Sequence, residues 1–265
     1  PDLYKLASKF PPELLLALLQ RNAIDPKKIP KDILKLTGFK PEAEFLTIDA
    51  PAIRKELSSL KYPLYFFDYE TYSAAIPPFD GTHPYQQIPF QYSLHIKDSS
   101  DSNVKHLEFL ARKYENPVPE LLAQLKRDIG PKGSVIVWYE KFEKTRNEEM
   151  ALMEPDYAKF LKSVNKRVFD LYLIFKIGKE LYANSKFQGS ASLKAVLPVL
   201  CPELSYESLK IQEGGTASAS WPVLTGRQIA EKERAQLAED MLVYCGRDTE
   251  AMVGILEKLE KDLKK

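Results

Sequence analysis

The chain predicts an α/β fold built on a five-stranded mixed sheet. Three antiparallel strands come first and two parallel ones follow, in the spatial order 3-2-1-4-5, with flanking helices and a small helical region at the N-terminus. Three observations predict this. The run Leu64-Tyr65-Phe66-Phe67 is apolar throughout, as a strand covered on both faces must be. Two more strand-like stretches follow it, joined by a short polar turn. Beyond them, helical and strand-like patterns alternate, as parallel crossovers require.

Residues 1–60 read as a helical appendage or linker region, and residues 61–265 as the main domain. Pro11-Pro12 opens a helix through residues 13–19, where proline at the first turn is tolerated. Turns follow at Asp25-Pro26 and Ile29-Pro30, then a helix over about 49–60 with Asp49 as N-cap and Pro51 just inside. The first sheet strand covers 64–67, and a loop rich in proline and aromatic residues spans 73–89. Strands at 90–96 and 104–110 flank the turn Asp98-Ser99-Ser100-Asp101. A helix at 117–129, the turn Gly130-Pro131-Lys132-Gly133 and a strand at 134–138 come next. A helix over 143–152, a further helical piece and a short strand at 167–169 follow, and the remainder reads as helical with a Gly/Ser loop at 213–218. This order describes a ribonuclease H-like sheet. Its strand order reverses between the first and fourth strands, and ligands gather at such reversals.

Composition narrows the function. With 44% hydrophobic and 28% charged residues the chain is a folding, globular one. It has no apolar run long enough to span a membrane and no signal-peptide layout, so a cytoplasmic setting is expected. Two cysteines, Cys201 and Cys245, form no framework and lack metal-ligand spacing. None of the three histidines sits in a HxxxH or HxxE pattern, which disfavours a zinc hydrolase. The net charge of +1 neither requires nor excludes a nucleic-acid partner. A start at Pro1 without methionine is read as excision from something longer.

Three separated acidic segments carry the functional signal. In FDYET, Asp68 and Glu70 stand two apart at the end of the first strand and share a face. In YCGRDT, Tyr244 and Asp248 stand four apart on a helix and face the same way, with Met241, Cys245, Met252 and Val253 supplying apolar positions. In WYEKFEKT, Glu143 opens a helix just past the fourth strand, where an acid also suits the helix dipole. Glu140 competes with it, and Asp170 is either a fifth acid or an N-cap. Carboxylates gathered together need positive charge, and divalent metal ions are the usual source.

At these residues the chain resembles the DEDD superfamily of 3′–5′ exonucleases, in the subclass whose last motif is YxxxD. Asp68 and Glu70 match the first motif, and Tyr244 and Asp248 the third. The middle motif departs: Tyr139-Glu140-Lys141-Phe142-Glu143 keeps Phe142 but has Tyr139 for Asn and Glu143 for Asp. PFDGTHPYQQIPFQYSLHI, FEKTR, and SLKAVLPVLCPELSYE with GGTAS resemble a narrower prokaryotic family, often joined to an N-terminal RecB-like nuclease domain. That likeness covers most of residues 60–265 and carries Glu at the middle position too.

The resemblance implies two Mg²⁺ or Mn²⁺ ions held by Asp68, Glu70, Glu143 and Asp248. Asp68 would be shared by both ions, Glu70 and Asp248 would complete the first, and Glu143 would hold the second directly or through water. Tyr244, ordinarily protonated at neutral pH, would orient the attacking water. The substrate would be a DNA or RNA 3′ end. Thr71, Tyr72, Lys144 and Arg146 are candidates for contacting it, and Tyr72, Phe79, Tyr85 and Phe90 either stack on bases or pack over the sheet. The alternatives are a catalytically weak nucleic-acid-binding module and a phosphodiesterase of short oligonucleotides or nucleotides.

Overall fold

The computed structural model describes residues 45–264 apart from 177, 180 and 227. The helix expected at 13–19 and the turns at 25–30 lie outside the described residues. Strand β1 (Leu46–Ile48) leads into helix α1 (Ala50–Leu57). Asp49 caps α1 by accepting from the Ala52 N–H at 3.0 Å, and Pro51 occupies the first turn, as the sequence indicates. Ile53 of α1 is fully buried in the core.

The central sheet contains β2 (Leu64–Tyr72), β3 (Ile88–Lys97), β4 (Val104–Leu110), β5 (Ser134–Val137) and β6 (Val168–Asp170). Its order is β4-β3-β2-β5-β6; β2 and β3, and β3 and β4, run antiparallel, while β5 lies parallel to β2 and β6 to β5. This is the order and the set of directions expected from the sequence. Helix α2 (Val118–Asp128) connects β4 to β5, and α3 (Glu140–Met153) with α4 (Ala158–Asn165) connects β5 to β6. After the short α5 (Tyr172–Phe175) come β7 (Tyr182–Asn184), α6 (Leu193–Leu200), α7 (Gly214–Thr225) and the long α8 (Glu231–Asp262).

Alternation along the strands sorts the sheet into two faces. On one, Tyr92 donates to Asp128 of α2 at 2.5 Å and Tyr69 to Asn147 of α3 at 2.9 Å. On the other, Gln91 donates to the Met241 carbonyl of α8 at 2.9 Å, and Ser93 and His95 each meet the Thr249 hydroxyl at 2.7 Å. Asp68 pairs with Ser93 and Glu70 with Gln91 in register, so both acids belong to the face that α8 covers.

Four local expectations are corrected. Strand β2 runs on to Tyr72 alongside the long β3, so Asp68 and Glu70 lie inside it, and a register shift falls between Glu70 and Thr71. Helix α3 begins at Glu140, which puts Glu143 within its first turn. Residues 214–218 form the start of α7, because Ala217, Trp221 and Leu224 recur at helical spacing and are buried. Finally, β7 interrupts the stretch read as helical and pairs antiparallel with β1, a long-range ladder with no local signal.

One glycine is fixed by space. Gly133 has φ +90°, and a Cβ there would stand 2.1 Å from the Pro63 carbonyl oxygen. That close turn lets Ser134 enter β5 with its N–H bonded to Lys61 O at 2.8 Å. Among the described residues no helix is long and apolar enough to cross a membrane.

Candidate functional site

The site lies where β2 and β5 run adjacent and parallel, with Asp68 and Glu70 in the second half of β2 and Glu143 in the helix that follows β5. Glu70 and Glu143 are buried, 7% and 2% exposed, whereas Asp68 and Asp248 keep partial solvent contact. Two carboxylates therefore form the wall and two remain reachable from outside.

Electrostatics tie these acids together. Burial first, and then the Asp248 charge, pushes Asp68 well above the usual carboxylate range. Glu70 is raised by burial and by Asp68 and Asp248, and Glu143 by burial and by Asp68. Asp248 is raised to about 6 by burial, with the Tyr206 hydroxyl and Lys194 opposing. Carboxyls from three remote segments thus interact through Asp68, and in the absence of cations they resist ionising. Asp68, Glu70 and Cys245 each present a ligand atom within 4.8 Å of the others, a group that does not include Glu143 or Asp248.

Glu143 carries the sharpest sign of a missing partner. Its Oε2 is buried without any hydrogen-bond partner. A buried carboxylate oxygen left bare costs free energy that a bound cation would recover. Together with the acids around Asp68, it fits hard divalent ions, which take oxygen ligands.

Tyr244 is buried, and burial with the neighbouring acids pushes its phenol far upward, so it stays protonated. Lys194 of α6 donates to the Tyr244 oxygen at 3.4 Å, and Tyr206 donates to Asp248 Oδ1. The start of α7 closes the site: a Cβ on Gly214 would come within 3.8 Å of both Glu70 Oε2 and Tyr244 OH. Sequence reasoning missed Lys194, Tyr206 and Gly214, although all three fall in the SLK, SYE and GGTAS stretches that marked the narrower resemblance. It also set Cys245 aside, yet its buried thiol lies 3.9 Å from Asp68 Oδ2. No sequence spacing could reveal that contact, because 177 residues separate the pair.

The remaining candidates fall elsewhere or are already engaged. Asp170 accepts the Tyr139 N–H at 2.9 Å and the Tyr172 N–H at 3.2 Å, so it caps the turn into α3. Glu140 pairs with Lys144 one turn on. Arg146 is buried, holds Glu149 through two 2.9 Å bonds, bonds Gln87 and lies over the Phe142 ring. Lys144 and Arg146 thus each have a protein partner. Thr71 follows the bulge, and Tyr72 packs 5.5 Å from Trp221. Phe90 stacks on Trp221 at 5.2 Å and Phe79 packs on it too, whereas Tyr85 is exposed at positive φ. Packing accounts for Tyr72, Phe79 and Phe90.

Fold and site together define a mixed α/β protein with a group of carboxylates at the reversal point of its sheet. Residues 65–192 match a family model described as a domain of unknown function, DUF2779. That stretch holds Asp68, Glu70 and Glu143 and stops before Lys194 and the YxxxD helix. The chain is similar to the uncharacterized protein MG366 homolog of Mycoplasma pneumoniae, with 29% identity covering 74% of this chain and 32% of the relative. It is also similar to the uncharacterized protein MG366 of Mycoplasma genitalium (28%, covering 78% and 33%) and to the uncharacterized protein UU173 of Ureaplasma parvum (27%, covering 75% and 31%). The chain spans about a third of the length of these curated relatives. No solved structure gives a significant match.

Proposed function

We propose that this protein is a metal-dependent 3′–5′ exonuclease that hydrolyses the terminal phosphodiester bond of a DNA or RNA strand. The observation that carries the reading is the bare, buried Glu143 Oε2, on a carboxyl that interacts with Asp68, which in turn interacts with Glu70 and Asp248. Mg²⁺ or Mn²⁺ bound there would supply Lewis acidity and a water activated at neutral pH. Asp68, Glu70, Glu143 and Asp248 would hold the ions. Tyr244, kept protonated by its surroundings, would donate to the water or the phosphate and orient it. Cytoplasmic location belongs to the proposal, as does a RecB-like nuclease domain in a longer chain.

The test is incubation of 5′-labelled single-stranded DNA and RNA with the protein and Mn²⁺. A ladder shortening from the 3′ end, absent in Asp68→Ala and Asp248→Ala, is the expected result. Binding with no ladder, unaffected by Asp68→Ala, would make the domain a nucleic-acid-binding module. Faster turnover of dinucleotides than of long strands would make it an oligonucleotide phosphodiesterase.

A further inference from the structure

Two residues outside the acidic motifs grip the YxxxD pair from one stretch of chain. Lys194 stands in the first turn of α6, and Tyr206 follows the turn that ends this helix. The Lys194 ammonium lies 5.4 Å from the Tyr244 ring centre and 5.5 Å from that of Tyr206, and the two rings are 6.2 Å apart. Its Nζ also donates to the Gln212 carbonyl at 2.5 Å. The cation is thereby fixed from several directions, and α6, the 206 turn and α8 are tied around it.

The polarity of these bonds matters. An ammonium group has donors and no acceptor. When it donates to the Tyr244 oxygen, the phenol's own hydrogen must point elsewhere. The Tyr244 oxygen and Glu70 Oε2 both lie 3.8 Å from the Cβ position of Gly214, so both border the space next to that glycine, and the phenol hydrogen can turn toward it. Tyr206 acts similarly on its partner. Its donation to Asp248 Oδ1 fixes the carboxylate rotamer and leaves Oδ2 for another ligand.

We propose that Lys194 and Tyr206 are positioning residues for the reaction: Lys194 turns the Tyr244 hydroxyl into an inward donor, and Tyr206 aims the second oxygen of Asp248 into the site. This rests on the exonuclease reading for its consequence, though the hydrogen bonds exist independently of it.

The test uses the full chain with Mn²⁺ and a 5′-labelled oligonucleotide. Lys194→Met is expected to lower kcat about 100-fold, the scale of a misplaced reacting group, with KM nearly unchanged. Lys194→Arg, which keeps a donor able to lie over the rings, should recover most of that loss. The double variant Lys194→Met, Tyr244→Phe should be no slower than Tyr244→Phe alone, because Lys194 acts through that phenol. Losses that multiply, or an unchanged Lys194→Met rate, overturn the proposal. A second measurement needs no activity: carbon-13 NMR of the metal-free protein. Lys194→Met should move the Tyr244 Cζ signal and Tyr206→Phe the Asp248 Cγ signal, while signals remote from the site stay in place. Unmoved signals at those two carbons overturn it. A wild-type protein that cleaves no strand sinks the nuclease reading alone, and the carbon signals then decide the positioning.

Discussion

Glu143 sits where the sequence departs from the motif it resembles, and its surroundings are unusual for a carboxylate. It is 2% exposed, close enough to Asp68 for repulsion, and its Oε2 has no protein partner. A group buried for packing alone would not be a carboxylate. Glu143→Gln should therefore stabilise the metal-free protein at neutral pH, because it removes an acid that burial and Asp68 hold back from ionising. Urea unfolding in EDTA measures it. The same variant should lose activity with Mn²⁺, whereas Glu143→Asp should keep a substantial fraction if a bridging water fills the missing methylene. Complete loss in Glu143→Asp would mean that the reach of the longer chain is specific.

The pH dependence belongs to this scale too. An acid whose pKa is higher folded than unfolded holds its proton better in the native state, so folding is favoured while the group is protonated. The advantage disappears as pH rises through the folded value. For Asp248 that window runs from roughly 4 in the unfolded chain to about 6 in the folded one. Asp68, Glu70 and Glu143, all raised, act in the same direction. The melting temperature in EDTA should fall between pH 4.5 and 7.5, and the fall should be shallower in Asp248→Asn. A melting temperature that climbs over this range would contradict the burial of these acids.

At the scale of elements, one glycine lets backbone approach where a side chain could not, and a second borders the site. Gly133→Ala would press a methyl into the Pro63 carbonyl and force a residue with a side chain into positive φ. A loss of more than about 1 kcal/mol follows, and a shift in the urea midpoint checks it. Gly214 differs, since its added Cβ would make only van der Waals contact with Glu70 and Tyr244. A larger substitution such as Gly214→Val should leave the urea midpoint nearly unchanged while lowering the rate, because it crowds Glu70 and Tyr244. The long α8 serves both purposes: its Thr249 hydroxyl locks to Ser93 and His95 of the sheet, one residue beyond Asp248. Burial and the neighbouring His106 hold His95 down to about 4, so that lock stays neutral through the physiological range.

For the whole molecule, the proposed metal binding would turn carboxylates that repel one another into a source of stability. Binding confined to the native state adds RT ln(1 + [L]/Kd), about 2.7 kcal/mol at a hundredfold excess over Kd. Mn²⁺ should raise the melting temperature at pH 7.5 and do little at pH 4.5, where protons hold the ligands. Asp68→Ala should abolish the effect at both. An equal shift in wild type and Asp68→Ala would place any bound ion elsewhere.

The sheet order was legible because buried strands must be apolar, turns must be polar, and helices repeat at 3.6 residues; 64–67, 104–110 and 134–138 carried those marks plainly. The acids were legible by type and spacing, since Asp68 and Glu70 had to share a strand face and Tyr244 and Asp248 a helix face. Hidden in the chain were the β1–β7 ladder, the helix starting at Gly214, and the companions Lys194, Tyr206 and Cys245. Local rules describe neighbours within a few residues, and they set which side chains could serve one site. Only the folded molecule could decide which distant groups complete it, because the approach of Cys245 to Asp68 or Lys194 to Tyr244 depends on how whole elements pack and on nothing written near either residue.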